Sequence, residues 1–360
     1  MKQMFKKCYI IFNIIFITNL ILGCNQSTEP GKITENTMYV YSNSGKTFYL
    51  IDYKTYEVVK EIQLQISYTV SFDGMRISTN RDYLFFGAQG TFPDPPSGFA
   101  IYNIKKNKLE NLFFTKLNYG IGYFISAENK SEPALIYVHF RDFGTYSIDL
   151  FEQKIKELIS DEHNFNLDKR IYNSPDGKWT VVKKNREAVG YTELEFYTLS
   201  SGLRDMQFVL NKANADSLRI YDWAFSKNNK LFITYLPGPS RGAQGCIGSY
   251  DLETKKLYRS SLKFPWSLSG YYLGYSANRN EIYAIGSYGK FYVMDAETYL
   301  IKDTIDLSVK GEQSPILISP DDNFAFVAYP NSNSIFVIDL NSRKVIKTIS
   351  VKEPYNMIIP

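Results

Sequence analysis

The sequence predicts an all-β fold: a seven-bladed β-propeller of four-stranded antiparallel blades, closed by pairing of its N- and C-terminal strands. Three observations lead there. One unit of short strands and turns can be read directly from Ser319 onward, and a unit of ~40–50 residues repeated along a chain is the signature of this architecture. A strand-ending mark recurs at Asp52, Asn103, Asp149, Thr198, Asp251, Asp295 and Asp339, with spacings of 44 to 53 residues. A turn-opening serine recurs at Ser78, Ser126, Ser174, Ser226, Ser276 and Ser319, each 19 to 25 residues before the next mark. Two markers keep phase through six units, and the first adds a seventh.

The last unit shows the plan. Ser319-Pro320-Asp321-Asp322-Asn323 is a turn and the run from Phe324 to Tyr329 a strand; Pro330 to Asn333 turns again. Ser334 to Asp339 is the next strand, and Lys344 to Val351 the outer one. The first unit has no serine turn. Met38 to Tyr41 starts on the second strand, Thr47 to Asp52 is the third and Val58 to Leu64 the fourth. Its missing strand is expected at the other end of the chain, from Tyr355 to Pro360, where it would remove an open sheet edge. The 29 Tyr and 25 Phe suit packing between twisted sheets. No segment carries a sustained helical period, although 161–167 could form one turn. Residues 37–360 are read as one domain.

Before the domain lies an address. Lys2, Lys6 and Lys7 precede an apolar run from Tyr9 to Leu22, too short for a comfortable membrane span. It ends in Leu20-Ile21-Leu22-Gly23-Cys24, which resembles the lipobox of bacterial lipoproteins. The resemblance implies a signal peptide over 1–23, removed before Cys24, and acylation of Cys24. A membrane partner through that lipid follows. One acyl chain anchors only marginally, and the modification implied here supplies several. Residues 24–36 read as a polar tether. Asn25 stands where some lipoproteins carry an inner-membrane retention aspartate, which tilts the expected address in the cell envelope toward the outer membrane.

Once Lys2, Lys6 and Lys7 leave with the signal, the formal charge of +4 falls to +1. A nearly neutral domain lacks the footprint of a nucleic-acid binder. Cys8 leaves too and Cys24 takes lipid, so Cys246 has no disulfide partner and the fold must rely on its core.

The final repeat, with Ser319-Pro320-Asp321, the strand to Ala328, and Ser334 to Leu340, looks like the YVTN family of β-propeller repeats, a WD40-like rhythm. Ser174-Pro175-Asp176-Gly177-Lys178 matches its turn best, and Tyr292-Val293-Met294-Asp295 and Tyr49-Leu50-Ile51-Asp52 echo its third strand. Asn103, Thr198 and Ser131-Glu132-Pro133 depart from the pattern. The resemblance implies a seven-bladed propeller, commonly secreted or on the envelope, and no reaction, because repeat residues are structural.

Chemistry-bearing motifs are scarce. His139 and His163 have no ligand-spaced partner, so no zinc site is expected. The Asp-Gly turns at Asp73 and Asp176 are simpler as turns than as calcium loops. No cofactor is expected, though the sequence leaves open an axial calcium assembled from several blades. Ser174 to Thr180 lacks the spacing of an Asp-box. Nucleophile-elbow, phosphate-loop and dinucleotide motifs do not occur. The basic run Lys183-Lys184-Asn185-Arg186 reads as a solvated loop.

Loop insertions collect between second and third strands, at Thr91 to Gly98, Lys183 to Thr192 and Leu236 to Gly245, where a repeat scaffold usually binds. Residues ahead of the serine marks should enter the axial mouth from the same face: Asp73, Arg170, Tyr221, Asp222, Tyr271 and Tyr272, with Tyr355 from the closing strand. They form the candidate ligand-binding set. With no catalytic set in view, the leading expectation is a lipid-anchored, non-catalytic module binding an envelope protein, a glycan or a small ligand. A lactonase-like hydrolase with an axial metal is the alternative, and a scaffold docking through outer strands the third.

Overall fold

The computed structural model describes residues 34–42, 47–63, 70–71, 75–78, 82–90, 97–106, 108–114, 123–125, 135–140, 144–149, 152, 154–160, 171–174, 178–186, 191–198, 206–210, 218–226, 228, 230–237, 245–263, 272–286, 288–311 and 316–359. These form seven antiparallel sheets. β1 (Thr37–Ser42), β2 (Thr47–Asp52) and β3 (Glu57–Gln63) belong to the first. The second holds β4 (Val70–Ser71), β5 (Met75–Ile77), β6 (Tyr83–Gly90), β7 (Ser97–Asn103) and β8 (Lys108–Phe114). The third is β9 (Tyr123–Ile125), β10 (Leu135–Phe140), β11 (Gly144–Asp149) and β12 (Lys154–Ser160). The fourth is β13 (Ile171–Asn173), β14 (Trp179–Arg186), β15 (Tyr191–Thr198) and β16 (Met206–Leu210).

The fifth sheet is β17 (Leu218–Phe225), β18 (Lys230–Pro237), β19 (Cys246–Asp251) and β20 (Lys256–Lys263). The sixth is β21 (Tyr272–Ser276), β22 (Glu281–Ile285), β23 (Lys290–Asp295) and β24 (Ile301–Asp306). The seventh is β25 (Leu317–Ile318), β26 (Phe324–Tyr329), β27 (Ser334–Asp339) and β28 (Lys344–Ser350). The chain then returns: β29 (Pro354–Ile358) pairs with β1, with Tyr39 opposite Ile358 and Val40 opposite Met357. No α-helix occurs among the described residues. The 161–167 segment lies outside them.

Both sequence markers have a local hydrogen-bond cause. The Asp that ends most third strands accepts from backbone amides inside the next turn, as Asp52 Oδ1 does from Lys54 N at 2.8 Å and Thr55 N at 3.0 Å. Asp251, Asp295 and Asp339 repeat this, and Asn103 and Asp149 each take one such bond. These are Asx-type turns, which favour Asp and Asn. Tyr56, Lys255, Tyr299 and Arg343 end four of them at positive φ.

The turn-opening serines Ser78, Ser174, Ser226, Ser276 and Ser319 are buried acceptors, and Ser126 lies outside the described residues. Ser319 Oγ receives Asn323 N at 3.2 Å and Phe324 N at 2.9 Å, and Ser78, Ser174 and Ser226 also take two amides each. Ser319→Ala would strand the Phe324 amide under a 1 % exposed side chain, while Asn323 N keeps Asp321 Oδ1 at 3.2 Å. A loss of about 1–2 kcal/mol is expected, read as a lower urea midpoint.

A third periodic feature escaped the sequence. The pairing of third with outer strand shifts register between Leu50/Ile51, Ile101/Tyr102, Ser147/Ile148, Phe196/Tyr197, Val293/Met294 and Val337/Ile338. Each lies one or two residues before the strand-ending mark. Such bulges raise local twist and bend the outer strand.

Inner strands β1, β22 and β26 are buried on both faces, so runs such as Met38 to Tyr41, Ile282 to Ile285 and Ala325 to Tyr329 are apolar throughout. Met38 and Val40 pack with Phe326, Ala328 and Val337 of the seventh sheet, while Tyr39 and Tyr41 pack with Leu84 and Tyr102 of the second. Neighbouring sheets meet through β29 with β5, β6 with β9, β15 with β17, β17 with β21, β21 with β25, and β26 with β29. Each buried Phe, Leu or Val contributes roughly 1.5–3 kcal/mol against exposure. Cys246 is buried at 6 % exposure, within the core shared by the fourth and fifth sheets.

Candidate functional site

Of the candidate set, Tyr221, Asp222, Tyr272 and Tyr355 fall among the described residues; Cys24, Asp73, Arg170 and Tyr271 lie outside them. The structure brings three of the four into one neighbourhood. β17 carries a bulge between Ile220 and Asp222, which leaves Tyr221 without a cross-strand partner on β18. The carbonyl of Tyr221 accepts from Lys183 Nζ of β14 at 3.1 Å. Asp222 Oδ2 accepts the amide of Leu273, next to Tyr272 on β21, at 2.9 Å. Thr192 Oγ1 donates to the Ile220 carbonyl at 3.4 Å.

These contacts join the fourth, fifth and sixth sheets in one polar chain. Asp222 is 5 % exposed, and Thr234 Oγ1 receives its backbone amide at 3.2 Å. A buried carboxylate that accepts an amide from the next sheet positions a strand. In this structure the Asp222 carboxylate has that positioning role toward β21. Tyr272 and Tyr355 are half-buried, Tyr272 against the core between the sixth and seventh sheets and Tyr355 against that between the first and second. Tyr355 does not join the others.

The expectation of a solvated basic loop at Lys183 to Arg186 is corrected. All four residues lie in β14, and Lys183 is 5 % exposed. Tyr191 and Thr192 belong to β15, so strands take both ends of the predicted insertion at 183–192, and 187–190 lie outside the described residues. Leu236 and Pro237 extend β18, and Ser97 and Gly98 extend β7. Strand lengthening therefore took up part of each supposed loop. Period-two reading from Val181, which is fully buried, would have placed Lys183 on the same inward face.

At the opposite, Asp-turn end the charges are knitted between sheets. Glu281, 5 % exposed, receives Arg343 at 3.0 Å, Lys302 at 3.5 Å and the Tyr283 hydroxyl at 3.0 Å. Arg279 donates from the sixth sheet to the carbonyls of Asp322 and Leu340 in the seventh. Lys54 of the first sheet pairs with Asp321 of the seventh. Burial opposes ionisation of Asp321, yet Lys54, Ser319 and Asn323 donating to it hold its pKa well below the ordinary value. The amide of Thr298, against the opposing effect of burial and with help from Lys302 and the Glu297 amide, brings Asp295 down to about 2. Desolvation pushes the buried hydroxyls of Tyr39, Tyr283 and Tyr329 far up, so they stay protonated.

Among the described residues no three His, Cys, Asp or Glu side chains gather as a metal-ligand group. β10 carries His139, and His163 lies outside the described residues. Nor is any helix among the described residues long and apolar enough to cross a membrane.

No family model matches the chain, and no curated protein matches its sequence. Solved structures do resemble it. The dihydro-heme d1 dehydrogenase NirN, in complex with DHE, is 12 % identical with a TM-score of 0.61, over 91 % of this chain and 76 % of that one. Kuenenia stuttgartiensis hydrazine synthase is 13 % identical with a TM-score of 0.63, over 87 % and 98 %. The Pseudomonas aeruginosa periplasmic gluconolactonase PpgL is 12 % identical with a TM-score of 0.61, over 90 % and 99 %. The neighbours are β-propeller proteins, and at such identity the likeness is one of fold.

Proposed function

We propose that this chain is a seven-bladed β-propeller, closed by β29 beside β1, held at the bacterial envelope by lipid on Cys24, and acting as a non-catalytic module for a protein, glycan or small ligand. Seven sheets in sequence order and the pairing of the first and last strands support the blade count and the closure. The anchor rests on Leu20 to Cys24, and the outer membrane as destination on Asn25. One observation supports the non-catalytic role above others. The polar groups of the fifth sheet's first strand that the sequence singled out serve to tie sheets: Asp222 holds Leu273 and the Tyr221 carbonyl holds Lys183. A reacting carboxylate needs an accessible position beside its substrate, and Asp222 lacks one.

Metal analysis of the purified chain tests this reading. Substoichiometric calcium and zinc are expected, together with no loss of fold on chelation. One tightly held calcium or zinc per chain, coupled to hydrolysis of a lactone, would replace the binding module with a metal-dependent hydrolase.

A further inference from the structure

The structure has a distinctive rim at its Asp-turn end. Among the described residues, six large apolar side chains are exposed: Val58, Tyr258, Tyr288, Leu300, Ile301 and Ile346. Five of these follow the strand-ending Asp of their sheet by five to seven residues; Tyr288 alone sits elsewhere, between β22 and β23. The five start the outer strands of the fifth, sixth, seventh and first sheets, which are consecutive and tied to one another at this end. Exposed cations flank them. Lys255, Lys256 and Arg259 surround Tyr258, and Lys344 and Lys347 bracket Ile346. Glu57, Glu253 and Glu297 stand on the same rim, so it is mixed, with cations in excess beside Tyr258 and Ile346. Aromatic and aliphatic groups interleaved with long cationic side chains suit a lipid headgroup layer, where stems lie on apolar surface and charges reach phosphate.

The chain enters the fold at this same end. Thr34 and Thr37 bond to each other, and Tyr53, in the turn after Asp52, donates its amide to the Asn36 carbonyl at 3.0 Å. Thr34 stands ten residues after Cys24. At ~3.3–3.6 Å per residue that stretch reaches about 35 Å at most. A domain of this length is roughly 50 Å across. A lipid on Cys24 therefore keeps the Asp-turn end nearer the bilayer than the opposite end.

We propose that this rim lies on the membrane, with Tyr258, Leu300, Ile301 and Ile346 in the headgroup region and Lys255, Lys256 and Lys344 on anionic phospholipid. The proposal rests on the lipid-anchor reading. It leaves the opposite face directed away from the bilayer.

The test uses the full-length acylated chain in vesicles of phosphatidylglycerol or phosphatidylcholine containing a headgroup-attached quencher. Ile346→Cys, Tyr258→Cys and Tyr288→Cys are labelled separately with a fluorophore under native conditions, where Cys246 is buried. In phosphatidylglycerol the labels at 346 and 258 should be quenched at least threefold more than the label at 288. Combining Lys255→Glu, Lys256→Glu and Lys344→Glu should remove that difference. Equal quenching at all three positions overturns the proposal, as does a difference unchanged by charge reversal. Cross-linking of two chains through position 346 would assign the rim to a second copy and overturn it too. Mass spectrometry of the first mature residue reads the anchor separately. An unacylated Cys24 fells both readings, whereas equal quenching in an acylated chain fells only this one.

Discussion

Deletion of residues 352–360 is expected to abolish the cooperative unfolding transition. The removed strand β29 supplies the fourth strand of the first sheet. It buries Pro354, and Met357 is 8 % exposed in the core shared with Phe326, Ala328 and Val337. Tyr355 and Ile358 cover the core on the other side, with Tyr39, Leu84 and Tyr102. Losing β29 therefore opens two sheet interfaces at once and leaves β1 as an unpaired edge. Net stabilities run about 5–15 kcal/mol, and this loss of packing and ladder bonds is expected to take at least about 5 of it. Urea unfolding by circular dichroism should show a broad, early transition, and sedimentation should show association through the bared edge. Met357→Ala is the graded control, at about 2–5 kcal/mol. A truncated chain with an unchanged midpoint would disprove closure through this strand.

The second large effect is expected at Asp222. Asp222→Ala orphans the Leu273 amide inside the boundary between the fifth and sixth sheets, a cost of about 1–3 kcal/mol. Asp222→Asn keeps an acceptor oxygen and should cost less than about 1 kcal/mol. Urea midpoints of the two variants separate the roles. If alanine leaves the midpoint unchanged, the carboxylate is not a tie between sheets, and its place in a ligand site reopens.

The periodic plan was legible because its markers act locally. Asp52 and Ser319 each hold amides within five residues, so residue type and position alone reveal them. The bulges were not legible, since they answer to sheet twist and are made by ordinary residues such as Val293 and Val337. The candidate site fared less well for the same reason. Asp222 was noticed from its phase, but its partner Leu273 lies 51 residues away on another sheet. Lys183 was masked by its basic neighbours, although its contact with Tyr221, 38 residues on, depends on inward orientation in β14. Long-range pairing decides whether a polar residue offers itself or is consumed, and a single sequence does not display that pairing.

On the lipid-anchor reading, Cys246 would give the folded chain a chemical memory of having been open. If the Cys24 sulfur carries lipid, Cys246 is the mature chain's sole thiol, and folding shelters it beneath the fifth sheet. In an oxidising compartment, each excursion to the denatured state offers that sulfur to oxidants and to other chains. Native molecules stay inert toward alkylating reagents, while opened ones are trapped as covalent dimers or sulfenic acids. Heat damage then accumulates as a rate, and the working lifetime of the protein is set by how seldom it opens.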